Sequence, residues 1–487
     1  MGSSHDDTGI IVVHRGYCLL YGAHEMNTIP LRDYQQKIVQ DCQTIMRRGI
    51  RKMLICSPTG SGKTALSTHI IKTAANRGHL AYFLAHRIEL IEQTRETFNK
   101  FGVPHSIIAA KYGYEPNMPS YIGSIDTVRN RLDKLPTPDL VIIDECVHLP
   151  SKSWRTIVDA WPDAYRIGLT ATPLRLDGTG FTDLFDELIL GPSASGLIED
   201  GWLSDYKIYA PQLADIDNLP VRAGDYTSTA ASNLLDRQHI TGDAIEHYKR
   251  LAPGKRAIVF CTSIKHSQNV AEAFNQSGVS ARHIDGTTSA SERKNAIKQF
   301  RDGSVCVLAN VNIAIEGLDI PNIEAVIMLR PTQSLALHLQ ALGRGLRSSE
   351  DKDTLIILDH VGNTERLGLP DYPFEWTLEG RGTRHRDKTD VPPIRVCPKC
   401  YAVYKPQVVC PYCGAESVLS KREIKQREGE LLELDKLRML EMKLQQSKER
   451  KNAGTLEDLI ALGRARGYKS PEFWARRVFQ GRKTGRK

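Results

Sequence analysis

A chain of 487 residues is too long for one hydrophobic core, so two large domains with a smaller appendage are expected. Its 41% hydrophobic and 25% charged residues fit an ordinary soluble protein, and no apolar run reaches the roughly 18 residues of a membrane span. The net charge of +8 is unevenly placed: residues 421–487 hold 19 of the 65 Lys+Arg and 10 of the 57 Asp+Glu, leaving 46 against 47 before them. A basic tail on a near-neutral body points to a polyanion such as nucleic acid, with a solvated helix face as the alternative.

In chain order, residues 1–28 read as an N-terminal arm. The apolar segment at 9–23 is interrupted by His14 and Arg15, which makes a poor signal peptide, and a cytoplasmic protein is expected. Met26 stands just before the first strongly patterned segment, so residues 1–25 are either a dispensable arm or an upstream translation start. Short apolar runs then alternate with amphipathic ones: "KMLICS", "LAYFLAH", "YIGSI", "LVIIDE" and "YRIGLTAT" within 29–210, and "RAIVFCTS", "VCVLANV", "AVIMLR" and "TLIILDH" within 211–370. That alternation predicts two successive α/β domains, each a parallel sheet covered by helices. Their junction is read near 205–225, where the periodicity breaks.

Residues 371–394 read as a polar, Pro-containing linker, 395–416 as a cysteine-rich unit and 417–452 as a charge-dense helix with Leu434, Leu437, Leu440 and Leu444 at helical spacing. The last unit, 453–487, is basic; Phe473 and Trp474 read as local core, and Arg464, Arg466, Arg476 and Arg477 as candidates for phosphate contact. Cys18, Cys42, Cys56, Cys146, Cys261 and Cys306 are scattered singly, as buried free thiols are, which argues for a reducing compartment.

The chemistry begins at "ICSPTGSGKT", Ile55–Thr64, a glycine-rich run between an apolar strand pattern and a helical one. In that setting Thr59, Gly60, Ser61 and Gly62 form a nucleotide-binding loop, and the backbone N–H groups of Gly60 to Lys63 can point at a β-phosphate at a helix N-terminus. Lys63 can reach the β/γ-phosphates, and the Thr64 hydroxyl can ligate Mg²⁺. "LVIIDECVH" places Asp144 and Glu145 at the C-terminal end of a strand, where α/β sheets bind ligands. Asp144 would hold the Mg²⁺ through a water, and Glu145 would polarise an attacking water. A strand-end turn is the plainer alternative for the acids, and it weakens because both motifs occur in the expected order.

The ordered series resembles superfamily 2 helicases of the DExH type. It runs "LRDYQ" (Leu31–Gln35), "SPTGSGKT" (Ser57–Thr64), "LAHRIELIEQT" (Leu84–Thr94), "DECVH" (Asp144–His148), "LTATPLR" (Leu169–Arg175), "IVFCTS" (Ile258–Ser263), "EGLDIP" (Glu316–Pro321) and "QALGRGLR" (Gln340–Arg347). The resemblance implies two tandem RecA-like domains with ATP between them. It implies that Arg32 and Gln35 read the adenine, and that Gly317 and Asp319 contribute to the nucleotide site from the second domain. His148, Thr170, Thr172 and Gln340 would couple that site to a bound strand. Arg344 and Arg347 would reach the γ-phosphate across the cleft, Arg347 as the arginine finger. Arg87 and Thr127 in the first domain, and Thr262 and Gly317 in the second, look like phosphodiester contacts. Val311 and Asn312 depart from the Thr-Asp of many relatives. The variants look most like RadD-type bacterial DNA repair helicases and their phage relatives, with a shorter cysteine-rich region than that type carries.

"CPKCYAVYKPQVVCPYCG" presents Cys397, Cys400, Cys410 and Cys413 as two Cys-Pro-x-Cys knuckles, the donor set of a tetrahedral structural Zn²⁺. A dithiol redox pair is the alternative reading. Whether this ribbon touches DNA, docks on the motor or binds a partner stays open, as does the choice for Tyr401, Tyr404 and Lys405 between base stacking and packing around the metal. The sequence as a whole reads as an ATP-dependent DNA helicase or translocase using ATP, Mg²⁺ and Zn²⁺. Its expected partners are single-stranded, forked or branched DNA and replication or repair proteins, with no membrane. An RNA helicase or an ATP-gated nucleic-acid clamp is the alternative.

Overall fold

The computed structural model describes residues 11–14, 17–20, 31–110, 112–148, 152–175, 178–211, 219–222, 225–227, 231, 238–311, 320, 322–349, 352–380, 394–416, 453–465 and a few positions of 471–479. Two parallel sheets dominate, as expected. The first orders its strands Ser106–Ile108, Ser120–Ser124, Ala81–Ala85, Leu140–Ile143, Tyr165–Thr170, Lys52–Cys56, Glu187–Leu190, every neighbouring pair parallel. The second runs Asp205–Tyr209, Thr354–Asp359, Ala325–Met328, Ala257–Phe260, Val307–Asn310, Ala281–Ile284, again parallel throughout.

The uninterrupted apolar runs follow from burial on both faces of each sheet. In the first sheet, Met53, Ile55, Ala81, Phe83 and Ala85 meet the helices Asp33–Arg47, Lys63–Asn76 and Ile88–Lys100 through Ile38, Ile71 and Phe98. The residues between them, Leu54, Tyr82 and Leu84, face the opposite layer of Val128, Trp154 and Ile157. Alternate residues serve different layers, so neither face tolerates a polar side chain. The second sheet is packed the same way by Tyr248, Phe274, Phe300 and Leu342 from its four flanking helices.

Two boundaries differ from the sequence expectation. The strand Asp205–Tyr209 pairs with Thr354–Asp359, so the chain enters the second sheet before residue 210. Within the segment read as a linker, residues 371–380 are packed: Leu378 O accepts from Phe181 N at 2.6 Å, and Phe374 and Trp376 lie against Leu174 and Leu335. Aromatic residues in "LPDYPFEW" serve packing there, which a composition reading of the segment as polar does not register.

The expected helix at 417–452 lies outside the described residues, as do Arg466, Phe473, Trp474 and Arg477. Within 1–28, residues Ile11–His14 and Tyr17–Leu20 pair as an antiparallel hairpin. By contacts the chain divides into Met1–Val418 and Leu419–Lys487, and the second unit contributes the helix Leu456–Ala465. Among the described residues no helix is long and apolar enough to cross a membrane.

Phe83 is fully buried in the middle of the first sheet. Phe83→Ala is expected to destabilise the first domain by about 3–5 kcal/mol, the usual cost of a cavity that size, read as a shift in the urea midpoint at constant slope.

Candidate functional site

The strand Lys52–Cys56 ends in a loop that turns into helix Lys63–Asn76 through two left-handed glycines, Gly60 at φ 89° and Gly62 at φ 77°. Only glycine adopts this backbone without strain, and a Cβ on Gly62 would stand 2.7 Å from Gln35 Nε2. Gln35 lies beneath the loop. Its amide nitrogen donates to the Ser61 and Gly62 carbonyls at 3.2 Å each, and its Oε1 accepts from the Arg32 backbone N–H at 3.0 Å. The Tyr34 hydroxyl donates to the Ser61 carbonyl at 2.8 Å, and the Arg32 guanidinium lies 3.7 Å from the centre of the Trp202 ring. The sequence reading did not single out Tyr34 or Trp202. Tyr34 was visible inside "LRDYQ", whereas Trp202 reaches the site only through the fold.

Lys63 Nζ donates to the carbonyls of Ser57 at 2.9 Å and Pro58 at 3.3 Å. Burial pulls its pKa down, opposed by Glu145 and Asp144, with Arg344 adding to the downward pull. Asp144 and Glu145 follow the strand Leu140–Ile143, and both are almost fully buried. Burial, then the neighbouring Glu145 charge, pushes Asp144 up to about 7, against Lys63 and Arg344. Asp144 and Glu145, adjacent and buried, are a donor set suited to a hard cation. Glu145 has a left-handed backbone at φ 46°, an unusual position for a side-chain-bearing residue and one that clusters at functional sites.

The second domain closes over this site with the helix Leu335–Gly345. Gln340 Nε2 donates to Glu145 Oε2 at 3.3 Å, and a Cβ on Gly343 would lie 2.7 Å from Thr59 Cβ. Beyond the helix, Arg347 Cγ comes within 3.4 Å of a Cβ built on Gly60. Thus Lys63, Asp144, Glu145, Gln340, Arg344 and Arg347 meet in one cleft. A second bridge, also unforeseen, joins Arg293 Nη1 to Glu89 Oε1 at 2.5 Å.

The remaining candidates stand along the carboxyl edges of the strands. In strand order the first sheet presents Thr127 after Ser120–Ser124, Arg87 after Ala81–Ala85, the acids after Leu140–Ile143, Thr170 and Thr172 at the end of Tyr165–Thr170, and then the phosphate loop. Thr170 Oγ1 donates to the Thr172 carbonyl at 2.7 Å and accepts from Thr172 N at 3.1 Å, while the buried Thr172 hydroxyl has no partner among the described residues. In the second sheet Thr262 Oγ1 lies 2.9 Å from His266 Nδ1. The His148 side chain, Asn312, Gly317 and Asp319 lie outside the described residues.

The four knuckle cysteines form the metal-competent cluster of the described chain, their sulfurs all within 4.8 Å of one another. Cys397 and Cys413 sulfurs are 3.6 Å apart and those of Cys400 and Cys410 3.7 Å. Four thiolates at about 2.3 Å from a tetrahedral Zn²⁺ would be separated by about 3.8 Å, so the set fits that ion. Each knuckle turns on a left-handed residue, Tyr401 at φ 62° and Gly414 at φ 69°. Tyr404 is buried in this small core, and Tyr401 sits edge-on to His247 with centroids 5.8 Å apart. These two rings pack rather than stand free. The unit docks on the second domain, with Ala210 N donating to Tyr401 O at 2.9 Å and Tyr209 bridging Ala402.

Comparison with known proteins follows this division. Residues 28–175 match the family described as "Type III restriction enzyme, res subunit", and residues 241–349 match "Helicase conserved C-terminal domain". A 51.5 kDa protein of a Lactococcus phage is 34% identical over 79% of this chain and 83% of its own. A putative ATP-dependent helicase, IRC3, of Saccharomyces cerevisiae is 29% identical over 68% of this chain, which spans about half (51%) of the yeast protein. The DNA 3'-5' translocase XPB2 of Sulfurisphaera tokodaii is 26% identical over 68% of this chain and 81% of its own. In fold, the chain is similar to a fragment of a putative HsdR subunit of a type I restriction enzyme from Vibrio vulnificus, with a TM-score of 0.58 at 23% identity, covering 72% of this chain and 68% of that one.

The Gly343 contact yields a direct test. Gly343→Val is expected to force the helix Leu335–Gly345 off the phosphate loop, so that hydrolysis of ATP falls at least about tenfold while binding of a fluorescent ATP analogue is retained. Steady-state turnover and equilibrium binding measured side by side check it.

Proposed function

The chain belongs to the superfamily 2 helicases, and from that premise we propose that its two RecA-like domains convert ATP hydrolysis into movement along, or remodelling of, DNA. The observation that carries this reading is the meeting of Gln340, Arg344 and Arg347 of one domain with Glu145, Lys63 and Gly60 of the other. Hydrolysis then requires closure, and closure displaces whatever strand the two carboxyl edges hold.

The roles follow from position. The loop Thr59–Gly62 offers backbone N–H groups to the phosphates, and Lys63 exchanges its bonds to the Ser57 and Pro58 carbonyls for phosphate oxygens. Thr64 and Asp144 would hold Mg²⁺, which supplies charge neutralisation at the β- and γ-phosphates. Glu145, oriented by Gln340, positions and polarises the attacking water; Arg347 places positive charge where the transition state gains negative charge, and Arg344 assists. Gln35 and Arg32 set the height of the loop and line the adenine end of the cleft. Thr170 and Thr172 stand between the loop and the Arg87 and Thr127 edge, where they relay closure to the strand, with Thr262 as its second-domain contact. The cysteine cluster holds one structural Zn²⁺ and extends the second domain.

The translocase named among the relatives acts on DNA, which supports DNA over RNA as the track. A role in repair, recombination or replication, and the cytoplasm of a bacterium or phage-infected cell as its setting, are the finer proposals; the phage relative supports the latter. ATPase stimulation by single-stranded DNA, forked DNA and RNA, measured in parallel, tests the track. Stimulation by RNA alone would sink the DNA reading, and nucleic-acid binding without stimulated turnover would make the protein a clamp.

Three outcomes are expected. Lys63→Ala and Glu145→Gln both abolish turnover, but only Lys63→Ala loses nucleotide, while Glu145→Gln traps an ATP-bound state that holds its strand; filter binding separates them. Arg347→Ala keeps ATP binding and loses about 10³- to 10⁵-fold in single-turnover hydrolysis. Metal analysis of the purified chain gives one zinc, and Cys410→Ala removes it and unfolds the ribbon locally while basal ATPase survives, since the nucleotide site lies before Ser348.

A further inference from the structure

Arg347 lies just past the end of the helix Leu335–Gly345, where backbone carbonyls lose their intrahelical partners. Three consecutive carbonyls here are held from outside the helix. Gly345 O accepts from Lys352 Nζ, Leu346 O accepts from Ser204 N at 2.8 Å, and Arg347 O accepts from Lys352 Nζ at 2.7 Å and from Ser204 Oγ at 3.3 Å. Lys352 is 8% exposed, an uncommon state for a lysine, and its own backbone is fixed by an N–H bond to Ser349 O at 3.1 Å. Two residues later the chain enters the strand Thr354–Asp359, so the ammonium is anchored to the sheet. Helix Leu335–Gly345 is anchored there too, because a Cβ on Gly345 would lie 2.7 Å from Leu355 and Val326 side chains.

We propose that Lys352 is a positioning residue for ATP hydrolysis: its buried ammonium clamps the Gly345 and Arg347 carbonyls and so fixes the Arg347 side chain against the phosphate loop. The inference rests on the reading of Arg347 as the arginine finger. A buried cation at a helix C-terminus is favoured by the helix dipole, and two charge-assisted bonds hold a backbone more tightly than neutral ones. The gain is geometric, since a misplacement of about 1 Å at a catalytic group costs about 100-fold in rate. Arg347 itself is placed at Gly60 by this clamp and by the Leu203–Arg347 bridge on its other side.

The clamp also has a titration. Burial brings Lys352 down to about 8, with Glu324 pulling upward and Lys255 downward; Glu324 is itself paired to Lys255 at 3.6 Å and Arg256 at 3.1 Å. The protonated form prevails below that value and is lost as pH rises through it, taking the charge assistance with it.

The test compares Lys352→Met, Lys352→Arg, Ser204→Ala and Arg347→Ala in the full chain, with melting temperature as the folding control. Lys352→Met is expected to lower kcat at least about tenfold with the KM for ATP changed by less than about twofold, and Lys352→Arg to recover most of the loss. Wild-type kcat should fall as pH is raised through about 8, and Lys352→Arg, which stays charged, should lack that limb. Ser204→Ala, which leaves the buried lysine in place, should give a smaller fall in kcat alone. An unchanged kcat in Lys352→Met beside an inactive Arg347→Ala overturns this inference while sparing the finger. The same alkaline limb in wild type and Lys352→Arg also overturns it. Wild-type turnover by Arg347→Ala overturns the finger reading and the clamp with it.

Discussion

The cleft rests on an electrostatic balance that neither domain completes alone. Lys63 and Asp144 lie where burial penalises their charged forms; each acts on the other, and the Glu145 charge acts on both. A lone buried charge would neutralise itself or draw in water, so a cluster of mixed sign is the arrangement that keeps ionised groups at a strand end. Arg344 enters the same field from the second domain, and Gln340 satisfies a Glu145 oxygen. Separation of the domains changes the environment of the acids before any nucleotide is considered. ATP brings several negative charges to this point, and a motor is the consequence when their arrival and removal alter the balance that holds two domains together.

Parallel sheets make this possible because all their carboxyl edges face one way. In the first domain the candidate residues from Thr127 to the loop at Gly60–Gly62 stand on that edge, and strand order sets which turns are neighbours. Thr170 ends the strand between the acids and the loop, with Thr172 just beyond it, because of that order. The second sheet has an edge of its own to protect at Asp205–Tyr209, and the cysteine unit covers its end through the Tyr209–Ala402 bridge. Packing and docking account for Tyr401 and Tyr404, and they leave Lys405, which is exposed, as the group of that trio open to solvent.

Much of this was legible because the signals are local. "SPTGSGKT" and "DECVH" each sit at a strand end that the apolar run before them announces, and the knuckle spacing specifies four thiolates before any fold is known. What stayed hidden depends on contacts between distant segments. Trp202 stacks on Arg32 across 170 positions of chain, Arg293 bridges Glu89, and Lys352 reaches back to Gly345; nothing in the local pattern of "DGW", "SER" or "DKD" distinguishes them from surface residues. The linker reading failed at its start for a related reason. Residues 371–380 mix acids with aromatic residues, and Phe374 and Trp376 find an apolar surface that exists only once Leu174 and Leu335 have been brought together.

Glu145 connects these levels. Its φ of 46° is a conformation that a residue with a Cβ enters at a cost, and the bond from Gln340 helps to hold its carboxylate where that backbone aims it. Gln340 belongs to the same helix as Gly343, which touches Thr59, and that helix ends in the carbonyls that Lys352 and Ser204 hold. In the roles proposed above, one rigid element would orient the group that acts on water, press on the loop that binds phosphate and lead directly into the arginine that meets the transferred group. Because these three tasks would share a helix and the turn that follows it, they would be lost together when it withdraws, leaving a partly closed molecule little means of hydrolysing ATP. On this reading the tightness of coupling comes from the shared helix rather than from the strength of any single contact.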